Sequence, residues 1–127
     1  MRFIFLAIAL CFLPVSIHAD SQFVKTGHLL TAATGTGAGS TIGPVKSGRK
    51  VYQASVTGTG AVTATVLVQV STDATQNGWI TMGTITLSGT TTATDGFVAD
   101  VAWPFVRGNV SAVTGTGATV YLTESRE

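Results

Sequence analysis

Charge is scarce in this chain: of 127 residues, seven are lysine or arginine and six are aspartate or glutamate. So few cations leave no electrostatic footprint for nucleic acid or anionic lipid. Cysteine is limited to Cys11, which excludes an internal disulfide. No stretch repeats apolar residues at helical spacing, and without crossover helices parallel pairing is not expected. Catalytic parts are equally short. Beyond residue 19 the sole histidine is His28, in an apparent strand, with nothing to set it beside a serine and a carboxylate. Asp73, Asp95, Asp100 and Glu124 are scattered along the chain, so neither a glycosidase pair nor a metal-ligand set is indicated. The reading is a protein that is not an enzyme and uses no cofactor or metal.

The first stretch, MRFIFLAIALCFLPVSIHA, has a composition of its own. Arg2 precedes a run from Phe3 to Ile17 that is apolar apart from Ser16, and Ala19 offers a small residue before polar Asp20. That is the layout of a secretory signal peptide. The alternative is an uncleaved anchor, although the run falls short of the roughly 20 residues a spanning helix prefers. The expected organisation is therefore a leader over residues 1–19 and a single domain over 20–127. Beyond residue 19, Lys25, Lys46, Arg49, Lys50, Arg107 and Arg126 are matched by Asp20, Asp73, Asp95, Asp100, Glu124 and Glu127, so this part is neutral.

What fills the chain is threonine, valine, alanine and glycine, a vocabulary of strands and turns. In AVTATVLVQVS, Val62, Ala64, Val66, Val68 and Val70 fall on one face, and Thr63, Thr65, Leu67, Gln69 and Ser71 on the other. WITMGTITLSG and GFVADVAW alternate in the same way, and Pro104 ends the second because it has no amide proton to donate. KVYQASV, FVRGNVSAV, ATVYLTE and QFVKTGHLLTAA supply further strands, while GTGAGSTIGPVKSGRK reads as a long loop or weak edge. The expected fold is all-β: an antiparallel β-sandwich, jelly-roll or Ig-like, of about seven strands.

The pentapeptide TGTGA occurs three times, at Thr34–Ala38, Thr57–Ala61 and Thr114–Ala118. A phosphate-binding glycine loop must run into a helix, whereas after Ala61 and Ala118 the chain runs into alternating strands. The copies are unevenly spaced, so they do not mark a repeat array. Glycine accepts the positive φ of tight turns, and TGTGA is expected to be a hairpin turn used twice, with a third copy in a looser loop. Asn77-Gly78 and Asp95-Gly96 also read as turns. DATQNG spaces oxygen ligands as a calcium loop would, but Thr84 stands where that loop needs its final carboxylate.

Two groups of residues are candidates for contact with a partner. Trp79, Trp103 and Phe105 would form a stacking platform for glycan if exposed. Lys46, Arg49 and Lys50 form a basic cluster in the long loop. The segment from VLVQVSTDATQNGW through GTITLSG, DGFVADVAWPFVRGNV and TGTGATVYL resembles small β-sandwich proteins of tailed-bacteriophage structural modules. The matching positions include Asn77, Gly78, Trp79, Asp95, Gly96, Phe97, Trp103, Pro104, Arg107 and Asn109. The resemblance implies a virion component, a capsid decoration or tail-associated protein, whose partners are itself or other virion proteins. The alternative is a secreted or periplasmic binding module that recognises glycan or a cell-surface partner.

Overall fold

The computed structural model describes residues 25–75 and 78–126, so the expected leader over residues 1–19 and Asn77 lie outside the described residues. Six strands make up the fold: β1 (Lys25–Ala33), β2 (Gly37–Ile42), β3 (Gly48–Ser71), β4 (Ile80–Gly89), β5 (Thr92–Val101) and β6 (Phe105–Arg126). No helix occurs among the described residues. Every pairing is antiparallel, and all six strands belong to one hydrogen-bonded sheet. The all-β antiparallel expectation is met, with six strands in place of about seven. GAGSTI, inside the stretch read as a loop or weak edge, forms β2.

β3 and β6 are long, at 24 and 22 residues, and lie side by side over their whole length. Each uses one half of its length differently from the other. The first half of β3 pairs with β5, from Gly48↔Val101 to Thr57↔Thr92, and its second half pairs with β4, from Val62↔Gly89 to Val70↔Ile80. Likewise β2 lies along the first half of β6 and β1 along the second. One half of the sheet therefore runs β1–β6–β3–β5, and the other runs β2–β6–β3–β4.

TGTGA marks the division between these halves, which corrects the hairpin expectation. In a hairpin, residues 48–57 would pair with 62–71; instead both segments pair with β6. Copies two and three are bends within continuous strands, placed next to each other: Thr57 faces Thr119, Thr59 faces Thr116 and Thr63 faces Thr114. Hydroxyl contacts of 2.9 Å (Thr57 with Thr119) and 2.7 Å (Thr63 with Thr114) tie them together. Gly60 and Gly117 have φ of 76° and 63°, a region that costs any residue with a Cβ. The first copy, Thr34–Ala38, carries the chain from β1 to β2, beside the third copy on β6. On the other side, the link from β4 to β5 meets copy two, where the Gly58 amide donates to the Thr91 carbonyl at 2.9 Å. All three copies, with the β4–β5 link, thus line up across the sheet between its two halves.

The alternation is realised as burial. Val62, Ala64, Val66, Val68 and Val70 are all at most 2% exposed, as are Tyr52, Ala54 and Val56 in the other half of β3. Ile85, Leu87, Val106, Val110, Val120, Leu122, Leu29 and Leu30 complete a single apolar cluster drawn from both halves. Asp95-Gly96 is not a turn but the middle of β5, paired with Ala54 and Gln53; ladder pairing with β3 overrides the local turn preference of the dipeptide.

Candidate functional site

Two connections away from the bends, residues 43–47 between β2 and β3 and 102–104 between β5 and β6, are joined where the Val45 amide donates to the Pro104 carbonyl at 2.8 Å. Beneath the first connection lies a pocket of about 350 Å³ lined by Lys25, Lys46, Gly48, Arg49, Lys50 and Arg126, among others. Five of the seven lysines and arginines of the whole chain meet there.

Strand register explains the gathering. Lys25 of β1, Arg126 of β6 and Lys50 of β3 are direct cross-strand partners in one row. Period-two alternation places Lys50 in phase with buried Tyr52, Ala54 and Val56, so it belongs to the inward face. Only 1% of Lys50 is exposed, and its Nζ donates to the Lys46 carbonyl at 2.9 Å. This corrects the placing of Lys46, Arg49 and Lys50 together in a long loop. Lys46 and Arg49 are exposed, but Arg49 and Lys50 belong to β3, and Lys50 is inside.

The row below holds Glu124, opposite Tyr52 on β3 and Gly27 on β1. Glu124 is fully buried, and Arg126 Nε lies 3.3 Å from its Oε1. Neither Glu124 oxygen accepts a well-directed hydrogen bond, and the Tyr52 hydroxyl also lacks a partner. Burial raises the Glu124 carboxyl above the usual carboxylate range, against the pull of Arg126 and Lys50. Burial also lowers the Lys50 ammonium, with Glu124 opposing, and pushes the Tyr52 hydroxyl up. The site is therefore a row of cations over a buried carboxylate and phenol. Lys25, Arg126 and Tyr52 were not among the sequence's site candidates, and Glu124 was read only as one of four scattered carboxylates, although a charge in phase with an apolar face signals Lys50 and Glu124 in both strands.

The three aromatic candidates have three different partners. The Trp79 ring is stacked under the Arg107 guanidinium, 4.3 Å from carbon to ring centroid, and Arg107 Nε donates to Gln69 Oε1 at 2.9 Å. Trp103 is half-buried and packs against the core cluster. Phe105 lies beside Gly43, away from the bends. Asp73 accepts from both the amide and the hydroxyl of Thr75 at 2.8 Å, a local turn that holds its carboxyl below the usual range. His28 is exposed on β1, paired with Thr123. No family model, curated protein or solved structure matches this chain.

Proposed function

We propose that the sheet folds over along its bends into a two-layer jelly roll, and that the chain works by assembly, as a structural component of a bacteriophage virion. Support for two layers comes from contacts between the halves. A side chain at Gly108 would come within 2.7 Å of Leu122, fourteen positions along the same strand, and one at Gly83 of β4 would strike the Phe97 ring of β5, its non-partner across the sheet. The orders β1–β6–β3–β5 and β2–β6–β3–β4 are those of two interlocked four-stranded Greek keys, an arrangement found in capsid and lectin domains. Fold alone does not assign a role, so the role rests on the surface.

The observation that carries it is the pair of edges in one half. β2 and β4 are each paired on one side only, and neither GAGSTI nor ITMGTITLSG contains a charge or a proline. Solitary proteins normally blunt such edges with lysine, proline or a cover. Ile80, at the start of β4, is 53% exposed. An open, neutral strand of ten residues suits pairing with another subunit. The resemblance to phage sandwich proteins points the same way.

The test is to separate purified particles from cell-free supernatant of the native source and to identify the chain in each by mass spectrometry. Its presence in particles, at a fixed ratio to the other virion proteins, is the expected result. Protein confined to the supernatant would sink the virion role and leave the secreted or periplasmic module.

A further inference from the structure

We propose that the pocket beneath the 43–47 connection binds a multiply charged oxyanion, phosphate or sulfate, coordinated by the cations of β1, β3, β6 and that connection. Three observations converge on it. The lining brings together Lys25, Lys46, Arg49, Lys50 and Arg126, in a chain whose described residues hold one other cation, Arg107, engaged with Trp79 and Gln69. Lys50 is 1% exposed, yet Nζ has a single acceptor, the Lys46 carbonyl. An ammonium has three donors, and among the described residues Nζ makes this one hydrogen bond, so donor capacity is left beside the pocket that Lys50 lines. Finally, the described carboxylates nearby do not balance the charge. Glu124 pairs with Arg126, and Asp100 is the cross-strand partner of Arg49, which leaves three positive charges in excess, most of which a dianion offsets.

Shape decides the class of ligand. The pocket, at about 350 Å³, is concave and sits beneath one connection, while the sheet faces beyond it carry no basic track, as a nucleic acid or extended polyanion would require. A compact group with several acceptor oxygens satisfies lysine and arginine donors together through charge-assisted hydrogen bonds. This inference does not rest on the assembly role, since the pocket is built within one chain.

Inorganic phosphate and inorganic sulfate, titrated at constant ionic strength, test it through the amide NMR signals of Gly48, Arg49 and Lys50. Saturable shifts confined to the pocket are expected. In Lys46→Ala/Arg49→Ala, both exposed positions, the affinity should fall by at least about tenfold, or roughly 1.4 kcal/mol, with the melting temperature unchanged. Shifts that are non-saturating or spread over the whole surface, or affinity unaltered in the double variant, would overturn the site. Parallel titrations with a sugar phosphate and a sulfated sugar separate the sources. Tighter binding of either than of its inorganic ion marks a glycan-borne group, and equal affinity marks the free ion.

Discussion

Glu124 is the residue at which fold and electrostatics conflict most directly. It occupies an inward position after Val120 and Leu122, so alternation places it inside, where an ionised carboxyl is costly. Its folded-state pKa is raised, which fixes the sign of the pH effect. The contribution is favourable below the unfolded value, near 4.3, and is lost as pH rises through the folded value. Glu124→Gln keeps the shape without the charge. Thermal melts from pH 4 to 8 should show the variant as the more stable protein at neutral pH, with the gap closing as the solution is acidified. A variant weakened at pH 7 would mean instead that the 3.3 Å pairing with Arg126 outweighs burial. Gly108 poses a purely steric case. A Cβ there meets Leu122 at 2.7 Å and Leu30 at 2.9 Å, so Gly108→Ala should cost about 1–3 kcal/mol by overpacking. Leu122→Ala, which empties the same contact, should cost about 2–5 kcal/mol. Urea titration of both variants checks the pair, and a neutral Gly108→Ala would argue against close approach of the two halves of β6.

At the scale of elements, alternation was legible and continuity was not. Val62 to Val70 declared a buried face, and Pro104 declared a strand end, because both signals are local. Whether TGTGA reverses a chain or only bends it depends on what each flank pairs with, and that information lies on β6, β5 and β4. The same blindness split β3 and β6 into four strands and hid β2, whose GAGSTI has little apolar signal and is held by β6. It also explains why a basic cluster was visible but not its site. Lys46, Arg49 and Lys50 are neighbours in sequence, whereas Lys25 and Arg126 join them only through register. The repeated pentapeptide now has a physical reason: adjacent antiparallel strands that bend at one height need the same backbone there. Gly60 and Gly117 meet no neighbouring atom but have positive φ, so alanine at each should cost about 1 kcal/mol through backbone alone. That corresponds to roughly 4–8 °C in Tm for a domain near this size. Calorimetry of the single and double variants checks it, and a double variant as stable as wild type would remove the bends as the reason for the motif.

For the molecule as a whole, the distribution of charge is more telling than its amount. Cations collect beneath the 43–47 connection, and the bends are threonine and glycine, so the two regions present opposite chemistries to any neighbour. The edges differ too. β1 and β5 carry Lys25, Asp95 and Asp100, whereas β2 and β4 carry no charge. The proposed edge pairing would thus be directed to one half of the sheet, and the exposed threonines of β4 are the place to interfere with it. Thr84 and Thr86 are exposed on β4, opposite Leu67 and Thr65 of β3. Their outward side chains contribute nothing to the core, so Thr84→Lys/Thr86→Lys should change Tm little while placing like charges where two copies would meet. Native mass spectrometry across a concentration series should show wild-type oligomers that collapse to monomer in the double lysine variant. The equivalent change on the charged edge, Thr94→Lys of β5, should leave the oligomers intact. If both variants dissociate alike, net charge and not the β4 edge governs association. If wild type remains monomeric at every concentration, self-pairing of the neutral edge is excluded and its partner must be a different chain.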